Sequence, residues 1–135
     1  MSARRLLSIA GLLGLTGVAL GAFGAHGLHA ALAARQTTSL WETAVTYQLI
    51  HSVALLALAG WRGDNGAGDR HPGTAAAWCW VGGVVLFSGS LYALALGAPV
   101  RWFWPVTPAG GLLFLAGWLL VIALGLRRPP AEPAA

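Results

Sequence analysis

The sequence predicts an all-α integral membrane bundle of four transmembrane helices, with a short interfacial helix between helices one and two. Three observations carry that reading. The chain of 135 residues is 57% hydrophobic and only 9% charged, where a soluble domain usually carries about 25% charged residues. Its apolar residues fall into four runs, each long enough for a helix to cross about 30 Å of bilayer hydrocarbon. Its polar residues mostly gather between the runs. A single membrane domain over residues 1–128 follows, with spans at about 6–25, 40–61, 75–98 and 107–126 and a disordered tail at 129–135.

The charge balance excludes one class of partner. The net charge is +4 and the pI about 10.7, yet the eight basic residues, all Arg, are scattered over five stretches and form no stripe for a phosphate backbone. No nucleic acid partner is expected, and the arginines read as topology determinants in contact with the lipid bilayer. The single Cys79 cannot form an intrachain disulfide and reads as a small packing residue. No cofactor is implied, and no Cys/His set has zinc spacing.

Span one is Leu6 to Ala25, twenty uncharged residues after Arg4 and Arg5. The same pattern describes a signal peptide cleaved after Ala22 or Ala25, but the run exceeds the roughly 7–15 residues of a signal core. Gly14, Gly17, Gly21 and Gly24 make a seam on which another backbone can approach closely, which favours a retained, packed helix. His26 to Thr38 connects to span two, and Leu28, Ala31, Leu32 and Arg35 have the spacing of a short amphipathic helix at the interface. His26 and His29, three apart, read as interfacial histidines rather than metal ligands, because no Cys or carboxylate adjoins them in sequence.

Span two carries the candidate site. Ser39-Leu40-Trp41-Glu42 has the form of a capping box, predicting a helix from Leu40. At about 100° per residue, Thr43, Tyr47, Gln48, His51 and Ser52 then form one polar stripe, with His51 near the bilayer midplane. Ionisable or polar groups at that depth need partners and point to function. The stripe predicts a neutral His51 ring inside the bundle, bonded to helix one or three.

Arg62 to Gly73, with Asp64, Asn65, Gly66 and Pro72, reads as a solvated loop. Span three offers Ser88, Ser90 and Tyr92 as partners for the stripe, and Gly89, Ala93 and Gly97 repeat as a second small-residue seam. Trp102 and Trp104 suit an interfacial turn. Span four is expected near Thr107, with Pro108 at its first helical position.

Arginine counts set the topology. Residues 1–5, 62–73 and 127–135 carry two each, whereas residues 26–39 and 99–106 carry one each. Six against two predicts both termini in the cytoplasm. His26 and His29 then lie at the outer face, while His71 and Cys79 lie at the inner face and cannot join them in one site.

Four ordered motifs carry a resemblance. They are Gly21-Ala22-Phe23-Gly24-Ala25-His26-Gly27-Leu28, Thr43-Ala44-Val45 with Tyr47-Gln48 and His51, Phe87-Ser88-Gly89-Ser90-Leu91-Tyr92, and Thr107-Pro108 with Gly110-Gly111. Over Leu6 to Leu126 the chain resembles the YgdD/YwdK-like family of small four-helix membrane proteins of unknown function. The resemblance implies a multi-pass protein of the bacterial cytoplasmic (inner) membrane and supplies no substrate. Arg101-Trp102-Phe103-Trp104-Pro105 stands where members often have a short Gly-containing linker.

Three roles are compatible with these residues. Tyr47, Gln48, His51 and Ser52 facing Ser88, Ser90 and Tyr92 would bind or pass a small polar solute. Alternatively the protein is a structural or accessory subunit whose small-residue seams meet a membrane-protein partner or a second copy in a homo-oligomer. A membrane enzyme or haem protein is the third. Its candidates are Glu42, His26, His29 and His51, but no residue is assigned as catalytic and no carboxylate lies deeper in the spans than Glu42.

Overall fold

The computed structural model describes residues 1–64 and 73–126. The chain forms α1 (Ala3–Ala25), α2 (His29–Ala34), α3 (Thr38–Asp64), α4 (Gly73–Gly83), α5 (Gly89–Ala95), α6 (Val100–Phe103) and α7 (Val106–Gly125). A π-helical segment, Val84–Ser88, joins α4 to α5 directly. Among the described residues there is no strand, and four stretches are long and apolar enough to cross a membrane: Ala3–Ala25, Thr38–Trp61, Gly73–Ala95 and Val100–Gly125. Of the loop expected over 62–73, helix occupies the two ends. Residues 65–72, with His71, lie outside the described residues, as do Arg127, Arg128 and the expected tail.

Chain order is also packing order. α1 lies against α3, α3 against α5 and the π segment, and α7 against α4 and the π segment. The outer spans therefore bury less of themselves, 17% of the most apolar window in each, against 39% for the two central ones. The larger apolar core gathers Leu6, Leu55, Leu58, Trp80, Val84 and Phe114, and a smaller one joins Leu32, Trp41 and Ala95 at the other end.

The glycine seam of α1 packs on α3. A Cβ added at Gly14 would sit 3.6 Å from the Ser52 hydroxyl, at Gly17 2.7 Å from Leu49, and at Gly21 3.3 Å from Val45, while at Gly24 it would collide with the Trp41 indole. The seam expected at Gly89, Ala93 and Gly97 is different. Gly97 is the left-handed residue (φ 98°) that ends α5, with the Gly97 and Ala98 N–H groups donating to Leu94 and Ala93. Span three accordingly stops at Ala95, short of the expected residue 98.

Two helix starts also differ from expectation. Gln36 takes φ 56° at the end of α2, where its N–H and that of Thr37 donate to Ala33 and Leu32. That turn redirects the chain early, so α3 begins at Thr38 and the Thr37 carbonyl accepts from Leu40 and Trp41. The Ser39–Glu42 capping box does not form, and Glu42 makes no hydrogen bond among the described residues. The Thr37 hydroxyl instead donates to the Ala95 carbonyl at 2.9 Å, tying α3 to the end of α5. Likewise α7 starts at Val106, and the Thr107 hydroxyl serves a cross-helix bond to Ser90 rather than a cap.

Candidate functional site

His51 is the central residue of α3 and is 3% exposed. Its Nε2 accepts from the Trp118 indole N–H at 3.2 Å, and an indole nitrogen can only donate. The ring proton therefore sits on Nδ1, which donates to the Tyr47 carbonyl at 2.8 Å. The ring stacks on Phe114, centroids 3.7 Å apart at 12°. Both nitrogens are thus engaged, but by α3 itself and α7 rather than by the helices expected. The reason is that Trp118 lies in an apolar run and turns its single polar atom inward, a choice that only the packing of α7 determines.

Gln48 joins three helices. Its amide nitrogen donates to the Leu13 carbonyl and the Thr16 hydroxyl of α1, both at 2.9 Å, and its amide oxygen accepts from the Tyr92 hydroxyl of α5 at 3.0 Å. Thr16 has no part in the sequence-derived stripe, yet it completes this junction while donating its own proton to Leu12. Tyr92 packs edge-on against Trp41, whose indole N–H donates to the Leu20 carbonyl at 3.0 Å.

The remaining candidates divide. The buried Ser52 donates to Leu49 at 2.8 Å, one turn back on its own helix. Ser90 donates to Phe87 at 2.9 Å and meets the Thr107 hydroxyl at 2.6 Å, linking α5 to α7. Ser88, 1% exposed in the π segment, has a buried hydroxyl with no hydrogen-bond partner among the described residues. Tyr47 stands at the edge of the stripe, 39% exposed, with its ring on Phe87 and Phe114 and no hydrogen bond from its hydroxyl among the described residues. His26 and His29 are both exposed.

Three cavities among the described residues lie largely away from the stripe. A groove of about 410 Å³ between α3 and α7 is apolar, with Trp61, Trp80 and Trp118 on its walls. A second, of about 340 Å³ between α1 and α3, includes Ser52 as its one stripe residue. The third, of about 350 Å³, is framed by the end of α1, by α2 and by the start of α3, and it brings together His29, Thr38, Trp41, Glu42 and Thr46. Sequence reasoning assigned Glu42 to the cap and left His29 without a carboxylate. Thr38, Glu42 and Thr46 are four apart along α3, a spacing that puts them on one helix face and could have marked the wall.

Comparison with known proteins places these residues in a wider set. The family model described as "Protein of unknown function (DUF423)" matches residues 20–111, more than half of the chain. A UPF0382 membrane protein of Staphylococcus haemolyticus is 44% identical over 84 residues, which is 62% of this chain and 65% of that protein. The UPF0382 membrane protein YwdK of Bacillus subtilis is 33% identical over 88 residues, 65% of this chain and 69% of YwdK. The UPF0382 inner membrane protein YgdD of Escherichia coli is 42% identical over 89 residues, 64% of this chain and 63% of YgdD. The chain thus spans just under two thirds of the length of the staphylococcal and Escherichia coli relatives. No solved structure matches.

Proposed function

We propose a role from geometry, because the chain belongs to the DUF423 family, membrane proteins without an assigned molecular function. The protein is a non-catalytic accessory subunit of the bacterial cytoplasmic membrane: its polar stripe locks its own helices, and an open helix face receives a partner helix. One observation carries this. Gln48, His51, Ser52, Ser90 and Tyr92 all make their hydrogen bonds within the chain, and of the stripe only Ser52 borders a described cavity. Groups whose bonding capacity is spent within the chain, and for Gln48, His51, Ser90 and Tyr92 partly on neighbouring helices, favour a lock over a solute site.

The open face is on α5. Gly89 is exposed and a Cβ there would meet nothing within 4 Å, with the half-buried Ala93 one turn on. Val85 and Leu96, 62% and 52% exposed, flank it. Small residues at such a face let a second helix approach closely, whether from another copy or from a different membrane protein. Gly89→Leu tests this: the melting temperature in detergent should stay unchanged, and assembly seen by native mass spectrometry from mild detergent should be lost. Assembly that survives the substitution overturns the reading.

Both termini face the cytoplasm in this proposal, on the support of the six-to-two arginine distribution. Reporter fusions after Arg35 and after Asn65 should report opposite sides, the first outside; the same side for both contradicts it. A second reading, passage of a small polar solute, draws on the unpartnered Ser88 hydroxyl beside the lock. It requires a solute-dependent rise in melting temperature that Ser88→Ala abolishes.

A further inference from the structure

The cavity at the α2 end of the bundle goes beyond the accessory role. Its polar lining is a carboxylate (Glu42), two hydroxyls (Thr38 and Thr46) and an imidazole (His29), and none of the four has a hydrogen-bond partner among the described residues. No Arg or Lys lines it. The nearest sequence candidate, Arg35 at the end of α2, holds its guanidinium in the space beside Gly97 of the α5 terminus. No Arg side chain therefore pairs with Glu42 within the cavity.

We propose that this cavity binds a primary ammonium group. An –NH₃⁺ presents three donors and no acceptor, which suits the Glu42 carboxylate together with the Thr46 hydroxyl one turn further along α3; Thr38, about 12 Å from Thr46 along the same helix, lines the far end of the space. The last residues of α1, Gly24 and Ala25, line the same space and bring the negative end of that helix's dipole to it. The start of α3 opposes with about half a positive charge, and the full charge of Glu42 outweighs it. The Trp41 indole supplies an apolar wall for the carbons that bear the amine. The volume, about 350 Å³, lies within the range of small-molecule sites, roughly 300–1,000 Å³.

A primary ammonium reaches a membrane-end cavity from two sources, a free amine in solution or the headgroup of an amino-phospholipid. The full chain in nanodiscs of phosphatidylglycerol, which carries no amine, separates them. Ethanolamine titrated onto these discs should raise the melting temperature saturably if the source is a free amine. If it does not, discs containing phosphatidylethanolamine should raise it instead, which identifies the headgroup. In either arm Glu42→Gln should weaken the response at least tenfold and Thr46→Val about threefold, with helical circular dichroism unchanged for both. Choline keeps the charge without an N–H donor and should bind at least tenfold more weakly than ethanolamine. A Glu42→Gln protein that responds like the parent, choline that matches ethanolamine where ethanolamine itself responds, or no response to either amine source overturns the assignment. None of these results depends on whether Gly89 meets a partner.

Discussion

The two main glycine interfaces are built on opposite plans. Between α1 and α3 every glycine belongs to α1, and Gly14, Gly17, Gly21 and Gly24 receive Ser52, Leu49, Val45 and Trp41 in turn. Between α4 and α7 the exchange is mutual: Gly83 of α4 makes room for Phe114, and Gly117 of α7 makes room for Trp80. Gly110 of α7 lies directly on the Phe87 backbone in the π segment. A one-sided seam is a four-glycine period along one helix, whereas a mutual seam is split between two helices, and in α7 only the seven-residue step from Gly110 to Gly117 marks it. The first mostly meets the ends of flexible side chains; the second meets rings and main chain, which yield less.

That difference in compliance orders the expected effects of substitution. Gly110→Ala should be the most disruptive, because the new methyl would meet the Phe87 main chain; a loss of about 3 kcal/mol or more is expected, at the top of the overpacking range. Chemical denaturation in mixed micelles measures it, and a loss no larger than that of Gly17→Ala, where the new methyl meets only the flexible end of Leu49, would erase the contrast. Gly24→Ala should come next at about 2 kcal/mol, since it meets the one rigid ring on the α1 side, the hydrogen-bonded Trp41 indole. Gln48→Leu removes three interhelical hydrogen bonds at about 0.6 kcal/mol each, so a loss near 2 kcal/mol or slightly below is expected, with the Tyr92 absorption band shifted as its hydroxyl loses its acceptor. Gly14→Ala should cost nothing and gain up to about 1 kcal/mol, because the added methyl finds ordinary contact distance and the helix loses a flexible residue. A destabilised Gly14→Ala protein would mean that α1 lies closer to α3 than described.

What was legible in the sequence follows the same line. The four spans were readable because lipid tolerates few charges, and the rotation of α3 was readable because Gln48, His51 and Ser52 are buried together. The α1 seam was visible as a period. The end of α2 was not, since the left-handed turn falls on Gln36 rather than on a glycine, and the false capping box followed from that. Gly97 looked like a seam residue because a helix terminator and a packing glycine are the same letter. The Trp118–His51 bond and the meeting of His29 with Glu42 were hidden for a further reason. Each joins residues whose sequence neighbours say nothing of one another, and only the closure of α7 and α2 onto α3 brings them together.

The π segment gives span three two phases. Gly89 N–H reaches back five residues to Val84, so the turn holds one residue more than an α turn, and everything after it is set back by about 100°. Upstream, Trp80 and Gly83 engage α7; downstream, Ser90 reaches Thr107 and Tyr92 reaches Gln48. An unbroken α-helix of the same composition could satisfy one half or the other. Loss of a single residue from 84–88 would therefore leave hydropathy and span length nearly unaltered while turning both hydroxyls away from their partners. In this stretch the number of residues carries information that their chemical character does not.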